Sequence, residues 1–204
     1  MKRKVKVAVL VSGGGTNLQA LIDAQTKGII KSGVLSLVIS NNPEAYAITR
    51  AANAGIPSAI ITKKECGSQE AFEARLKQTL EENGIELIVL AGFMTILTAN
   101  FTNAYPERII NVHPSLIPSF CGKGFYGLKV HEAALAYGVK VTGATVHFVN
   151  EIPDGGRIIL QKSVAIRKDE TPESLQQRVM CQAEWVILPR AVELVSKQIL
   201  ELES

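Results

Sequence analysis

Apolar residues come in short unbroken runs near the start of the chain, separated by stretches in which they recur at helical spacing. Val5–Val11 is Val-rich and bounded by glycine, the profile of a strand buried on both faces. Residues 16–27 carry Leu18, Leu21 and Ile22 on one helical face. The pattern then repeats. Strands are predicted at 34–40, 58–61, 86–90 and 108–112, with helices at 44–54, closed by Gly55, and at 69–82, stopped by Gly84. Strand-helix alternation implies right-handed crossovers and a mostly parallel sheet with helices on both faces. After Pro114 the texture changes. Pro118, Gly122, Gly124 and Gly127 mark a long irregular loop, followed by a helix at 128–137 and two β-rich runs, 141–149 and 157–166. These runs are joined by Pro153-Asp154-Gly155-Gly156 and read as an antiparallel extension. Thr171-Pro172-Glu173-Ser174 opens a C-terminal helix with Thr171 as N-cap and proline in the first turn. The expected fold is a doubly wound, mostly parallel α/β sheet with an antiparallel C-terminal extension, and residues 1–204 are expected to form one domain.

Composition narrows the class. The 204 residues are 47% hydrophobic and 20% charged, ordinary for a globular protein, and a chain of this length buries roughly 70% of its unfolded surface without staples. A net charge of +3, with no basic run interleaved with aromatics, argues against a nucleic-acid partner. Cys66, Cys121 and Cys181 are odd in number and form no C-x-x-C pair, so neither a disulfide framework nor a metal site is expected. Met1-Lys2-Arg3-Lys4 ahead of an apolar stretch has the look of a signal peptide, but Lys6 interrupts it and no cleavage site follows. No apolar run approaches the ~20 residues of a membrane span. A cytoplasmic protein with no membrane partner is expected.

Ligands of such sheets bind beyond the carboxyl ends of the strands, which directs attention to the loop after Val11, Ala91-Gly92-Phe93-Met94, residues 111–118 and whatever neighbours them. Ser12-Gly13-Gly14-Gly15-Thr16-Asn17 lies between a strand and a helix, where glycines admit a phosphate and free helix amides attract it. Thr16 adds a hydroxyl and Asn17 an amide. No Gly-Lys-Ser/Thr follows, and Leu18 stands at the third glycine position of a dinucleotide fingerprint, so a phosphomonoester is the better ligand. In Asn111-Val112-His113-Pro114-Ser115, Asn111 and His113 alternate by two and face the same way at a strand end. An amide beside an imidazole can polarise a carbonyl and stabilise an oxyanion. Asp154 belongs to a turn, and gains chemical meaning only if the fold delivers it to His113. His147 reads as structural, His131 as solvated on a helix face, and no cysteine has a local partner that makes it a nucleophile.

With these stretches in order, the chain resembles the phosphoribosylglycinamide formyltransferases. The resemblance rests on Ser12-Gly13-Gly14-Gly15-Thr16-Asn17-Leu18-Gln19-Ala20, Leu90-Ala91-Gly92-Phe93-Met94, Asn111 through Pro118, and Gly143-Ala144-Thr145-Val146-His147-Phe148-Val149 through Gly156. It implies the formyltransferase fold and transfer of the formyl group of 10-formyltetrahydrofolate to the amine of 5-phosphoribosylglycinamide in purine biosynthesis. It also implies two small-molecule substrates, no metal, and a monomer or homodimer. By position, Gly15, Thr16 and Asn17 would cradle the ribonucleotide phosphate, and Asn111, His113 and Asp154 would form the catalytic set. Leu90, Phe93, Met94, Thr95, Ile96 and Leu97, with Asn111, would border the folate. Glu184 would meet the substrate ribose, although its alignment carries an apparent one-residue insertion. Thr95 stands where many members have arginine, Gln69 where some carry arginine near the folate, and Pro153 where an aliphatic residue or methionine is usual. The 122–127 loop is longer than in some relatives, and no role is assigned to it.

The implied reaction is direct amine attack. Asn111 would hold the formyl oxygen, a transiently protonated His113 would stabilise its charge, and Asp154 would raise the proton affinity of His113 and relay the amine proton through water. Rival readings are a deformylase, in which water replaces the amine, a methionyl-tRNA formyltransferase, and a non-catalytic folate or nucleotide sensor. The first usually carries an extra N-terminal domain and the second needs a basic C-terminal one, and with strand one starting almost at Met1 neither is expected here. The sensor would have no use for the Asn111, His113 and Asp154 set.

Overall fold

The computed structural model describes residues 3–202. Seven strands form one sheet in the order β3-β2-β1-β4-β5-β6-β7. They are β1 Val5–Val11, β2 Gly33–Ser40, β3 Ser58–Ile60, β4 Leu87–Leu90, β5 Ile109–His113, β6 Val141–Phe148 and β7 Ile158–Ala165. Strands β1 to β5 pair in parallel, while β6 runs antiparallel to both β5 and β7. The mostly parallel sheet with an antiparallel extension is therefore the architecture found. All of β1 except Lys6 is buried, because helices cover both sides of it.

The long helices fall where the periodicity put them: α1 Thr16–Thr26, α2 Tyr46–Asn53, α4 Gln69–Glu82 and α6 Leu128–Tyr137. Two short ones were not foreseen, α3 Lys63–Cys66 and α5 Ala99–Asn103. Four or five residues are too few to show a hydrophobic period. Their N-caps were the available signal, since Thr62 and Thr98 each accept a backbone N–H of the first turn. The C-terminal helix begins as α7 Pro172–Val179, with the expected Thr171 cap and a reciprocal bond in which the Thr171 N–H donates to Ser174 Oγ. It continues through a π-helical segment, Met180–Glu184, into α8 Trp185–Leu202. No described helix is long and apolar enough to cross a membrane.

Two hydrophobic clusters form the core, one on each face of the sheet. One joins Val7, Val9 and Val89 to α1 and α8 through Leu18, Leu21, Leu188 and Val192, and the other joins Leu10, Ile88 and Ile109 to α4 and α5 through Phe72, Leu76 and Phe101. The strand order reverses between β1 and β4, and such a switch point opens a crevice outside the strand ends. The loops after β1 and β4 meet there, with the Met94 N–H donating to Ser12 Oγ at 2.9 Å.

Candidate active site

The loop after β1 enters α1 through Gly15, whose φ of 70° is left-handed. The first intrahelical bond runs from Gln19 N to Gly15 O (2.9 Å), so the amides of Thr16, Asn17 and Leu18 precede the helical ladder and have no acceptor within the helix. Thr16 is exposed at this edge. Asn17 behaves differently from the expectation that its side chain faces a phosphate. It is 9% exposed, and its Nδ2 donates to Glu184 Oε2 at 2.7 Å while its Oδ1 is buried without a partner. Two residues expected to touch different parts of one substrate thus touch each other. Burial pushes the Glu184 carboxyl up to about 6, against the hydrogen bond from Asn17, which lowers it. Glu184 closes the π-helical segment Met180–Glu184, where the helix takes an extra residue per turn.

The loop after β4 borders a cleft with about 500 Å³ of open space. Leu90, Phe93, Thr95, Ile96, Leu97 and Asn111 line it. Met94 does not, since its side chain is 57% exposed and its amide is bound to Ser12. The opposite wall is the 149–154 turn with His147 behind it. Thr95 Oγ1 accepts from Asn41 Nδ2 (2.7 Å). Gln69 Nε2 donates both to Glu73 Oε1 (2.8 Å) and to Ile96 O (3.2 Å). The buried Glu73 in turn accepts from Thr98 N (2.7 Å) and Thr98 Oγ1 (2.5 Å). Thr95 and Gln69 therefore brace the loop, and the charged residues lining the cleft, Glu151 and Asp154, are both acidic.

The fold does deliver Asp154 to His113. Nδ1 of His113 is 3.5 Å from Asp154 Oδ2, and its Nε2 is 2.8 Å from Phe120 O. A carbonyl only accepts, so Nε2 carries a proton and the titrating position is Nδ1, facing the carboxylate. Asp154 Oδ2 also accepts the Gly122 N–H at 2.8 Å, which gives the start of the glycine-rich loop a place at the site. His113 is 4% exposed and absent from the cleft lining, so it communicates with the cleft through Asp154. Burial lowers the His113 pKa, outweighing Asp154 and the Phe120 carbonyl, which raise it. The expected gain in proton affinity from Asp154 is present but smaller than the cost of burial. Asp154 itself is penalised by burial, yet the hydrogen bond from His147, the charge of His113 and the Gly122 amide hold its pKa below the usual range.

Two histidines depart from the sequence reading. His147 is part of the cluster, its Nε2 lying 3.2 Å from Asn111 Nδ2 and 3.5 Å from Asp154 Oδ1, with Nδ1 on Phe148 O at 2.7 Å. The antiparallel pairing places His147 directly opposite Asn111, a register that strand alternation alone does not supply. His131 is not solvated. It is fully buried, neither ring nitrogen has a hydrogen-bond partner, and burial, helped by nearby His113, lowers its pKa to about 4. The apolar packing of α6, with Val130 and Ala134 also at 0% exposure, accounts for this. Among the described residues, no group of three or more His, Cys, Asp or Glu is placed to hold a metal ion.

A family profile described as "Formyl transferase" matches residues 5–192. The phosphoribosylglycinamide formyltransferase of Haemophilus influenzae is 39% identical over 97% of this chain and 90% of its own. The trifunctional purine biosynthetic protein adenosine-3 of Gallus gallus is 45% identical over 95% of this chain, which spans about a fifth of that relative's length, 18%. Among solved structures, glycinamide ribonucleotide transformylase 1 from Symbiobacterium toebii superposes with a TM-score of 0.89 at 39% identity, covering 96% of this chain and 89% of that one.

Proposed function

The chain belongs to the formyl transferase family, and on that footing we propose that it transfers the formyl group of 10-formyltetrahydrofolate to the glycinamide amine of 5-phosphoribosylglycinamide, a step of purine biosynthesis. The observation that carries the reading is the convergence of Asn111, His113, His147 and Asp154 beside the cleft, with the start of α1 at the switch point of the same sheet.

The folate enters the cleft between the 93–97 loop and the 149–154 turn, its heterocycle against Leu90, Phe93 and Leu97. The ribonucleotide lies across the neighbouring loop with its phosphate on the amides of Gly15, Thr16 and Asn17. Glu184 and the unpartnered Asn17 Oδ1 are both acceptors, which suits the hydroxyl donors of a ribose. Fixing the phosphate far from the reacting amine converts remote affinity into rate.

The amine nitrogen attacks the formyl carbon, the carbonyl electron pair moves to oxygen, and Asn111 Nδ2 donates to that oxyanion. The amine proton passes through water to the Asp154–His113 pair and comes to rest on His113 Nδ1. A depressed pKa keeps His113 neutral and ready to accept that proton at pH 7. The imidazolium so formed is held by Asp154 and by Phe120 O, and its charge favours the oxyanion. Collapse breaks the bond from carbon to folate N10, which takes the proton, leaving the formylated amide and tetrahydrofolate. The 204 residues act as one domain in the cytoplasm, as a monomer or homodimer, with no metal in the reaction.

The test is a folate absorbance assay with 10-formyltetrahydrofolate, run with and without the ribonucleotide. Tetrahydrofolate formed only in its presence is the expected result. Equal product without it means hydrolysis and replaces this reading with the deformylase. Ligand binding without product in either case points to a sensor.

A further inference from the structure

Arg50, on α2, has no part in the chemistry above, yet it is tied to the loop that receives the phosphate. Its Nε donates to Gly14 O at 2.8 Å and one terminal nitrogen donates to Gln19 Oε1 at 3.0 Å, while the guanidinium lies 5.0 Å from the centre of the Tyr46 ring. One helical turn earlier, the Ala47 N–H donates to Gly13 O at 3.1 Å. Two successive loop carbonyls are thus drawn toward α2. In a planar trans peptide the N–H opposes the C=O, so the amides of Gly14 and Gly15 are turned to the side away from α2. Consecutive amides facing one way make an anion-binding concavity. The contact is close. A Cβ on Gly15 would lie 2.7 Å from Ala47 Cβ and 3.4 Å from Arg50 Cδ, so the loop is seated directly on this helix. Both hydrogen bonds of Arg50 end on neutral oxygens, which leaves its charge to act on the loop. Arg50 and Thr16 also line one shared depression at the start of α1.

We propose that Arg50 is a positioning residue for the substrate phosphomonoester. It draws the Gly14 carbonyl back so that the Gly15 amide faces the phosphate, and its guanidinium offsets part of the dianion's charge from behind the loop. Lysine is a poor substitute, since a single ammonium cannot reproduce a fixed fork to Gly14 O and Gln19 Oε1 while stacking on Tyr46. The proposal rests on the phosphate assignment made for this loop.

The experiment is steady-state kinetics of wild type, Arg50→Met and Arg50→Lys with the ribonucleotide and with its dephosphorylated riboside, which keeps the amine and lacks the phosphate. Arg50→Met is expected to raise the ribonucleotide KM about tenfold, the weight of one charge-assisted hydrogen bond. Its kcat should stay within about twofold of wild type, with folate KM and riboside kcat/KM unchanged. Arg50→Lys should fall between the two. Should Arg50→Met fail to fold, Arg50→Lys and competition by inorganic phosphate, whose inhibition constant should rise, carry the same test. An unchanged ribonucleotide KM overturns the proposal, as does an equal loss with the riboside, which would mark a general structural role. Wild-type protein that uses ribonucleotide and riboside alike overturns the phosphate assignment and this inference together. A discriminating wild type with indifferent variants overturns this inference alone.

Discussion

At the end of β1 the candidate phosphate loop offers backbone amides from consecutive residues, whereas at the ends of β5 and β6 the candidate catalytic cluster is assembled from side chains as far apart as Asn111 and Asp154. The first kind of site needs glycines and the start of a helix, which lie together in the sequence. The second needs a strand register and a turn that returns Asp154, at a φ of 57°, to within 3.5 Å of two histidines. Substitutions should therefore act differently at the two ends. Losing a side chain should cripple chemistry at the cluster and leave binding intact, while at the loop a change of backbone geometry should harm binding and stability with little direct effect on chemistry.

The largest effect should come from the cluster. Asn111→Ala removes the donor to the oxyanion and His113→Ala the proton acceptor, and each should lower kcat by about 10²–10³ with the KM of both substrates within a few-fold of wild type. Turnover in the folate absorbance assay measures this. Near-normal transfer by both variants would sink the assignment of the cluster as catalytic. At the loop the counterpart is Gly15→Ala. It places a Cβ on a left-handed residue and against Ala47, at a cost of about 1–3 kcal/mol in stability. A lowered Tm with a raised ribonucleotide KM and an intact kcat is the expected signature. A kcat loss as deep as that of His113→Ala would erase the distinction between the two ends.

Glu184 tests the loop end through pH. Its folded-state pKa of about 6 exceeds the ordinary 4.5, so the folded protein holds this proton more tightly than the unfolded chain. The sign follows directly: the contribution is fully present below 4.5 and is lost as pH rises through about 6. The gap corresponds to ~2 kcal/mol. Glu184→Gln, which cannot ionise, should be more stable than wild type by about that amount at pH 7 and should lack the wild-type decline between pH 4.5 and 6. Urea unfolding across that range measures both, and parallel curves for the two proteins would show that Glu184 titrates normally.

The same contrast separates what is legible in the sequence from what is not. The sheet, its long helices and the loop from Ser12 to Asn17 are local features, and period and glycine placement found them. Asn111 and His113 were found because alternation put them on one face. The place of His147 in the cluster depends on pairing with Asn111 across β5 and β6, which no local pattern encodes. His131 differs from the sequence expectation for a related reason: the polar side of a helix is inferred from its neighbours in sequence, and only packing shows that this histidine faces inward. The link between Asn17 and Glu184 joins α1 to the π-helical segment of the C-terminal helix, residues 167 apart in sequence, and no local pattern encodes it.

The smallest effect is expected at Thr95, which lines the cleft. The cleft's charged lining is acidic, from Glu151 and Asp154, whereas a folate with a glutamyl tail brings carboxylates of its own. Thr95→Arg adds a cation at the rim and sacrifices the 2.7 Å bond from Asn41 to Thr95 Oγ1. An exposed ion pair contributes about 0.2–1 kcal/mol and a neutral hydrogen bond about as much, so the two changes nearly offset. The net expectation is a folate KM lowered by at most about threefold at low salt, a gain that disappears as ionic strength rises. Donors lacking the glutamyl tail should show no gain at any salt. A tenfold improvement that survives high salt would mean that the added guanidinium reaches a protected partner inside the cleft, and that the side-chain end of the site is more enclosed than its open lining suggests.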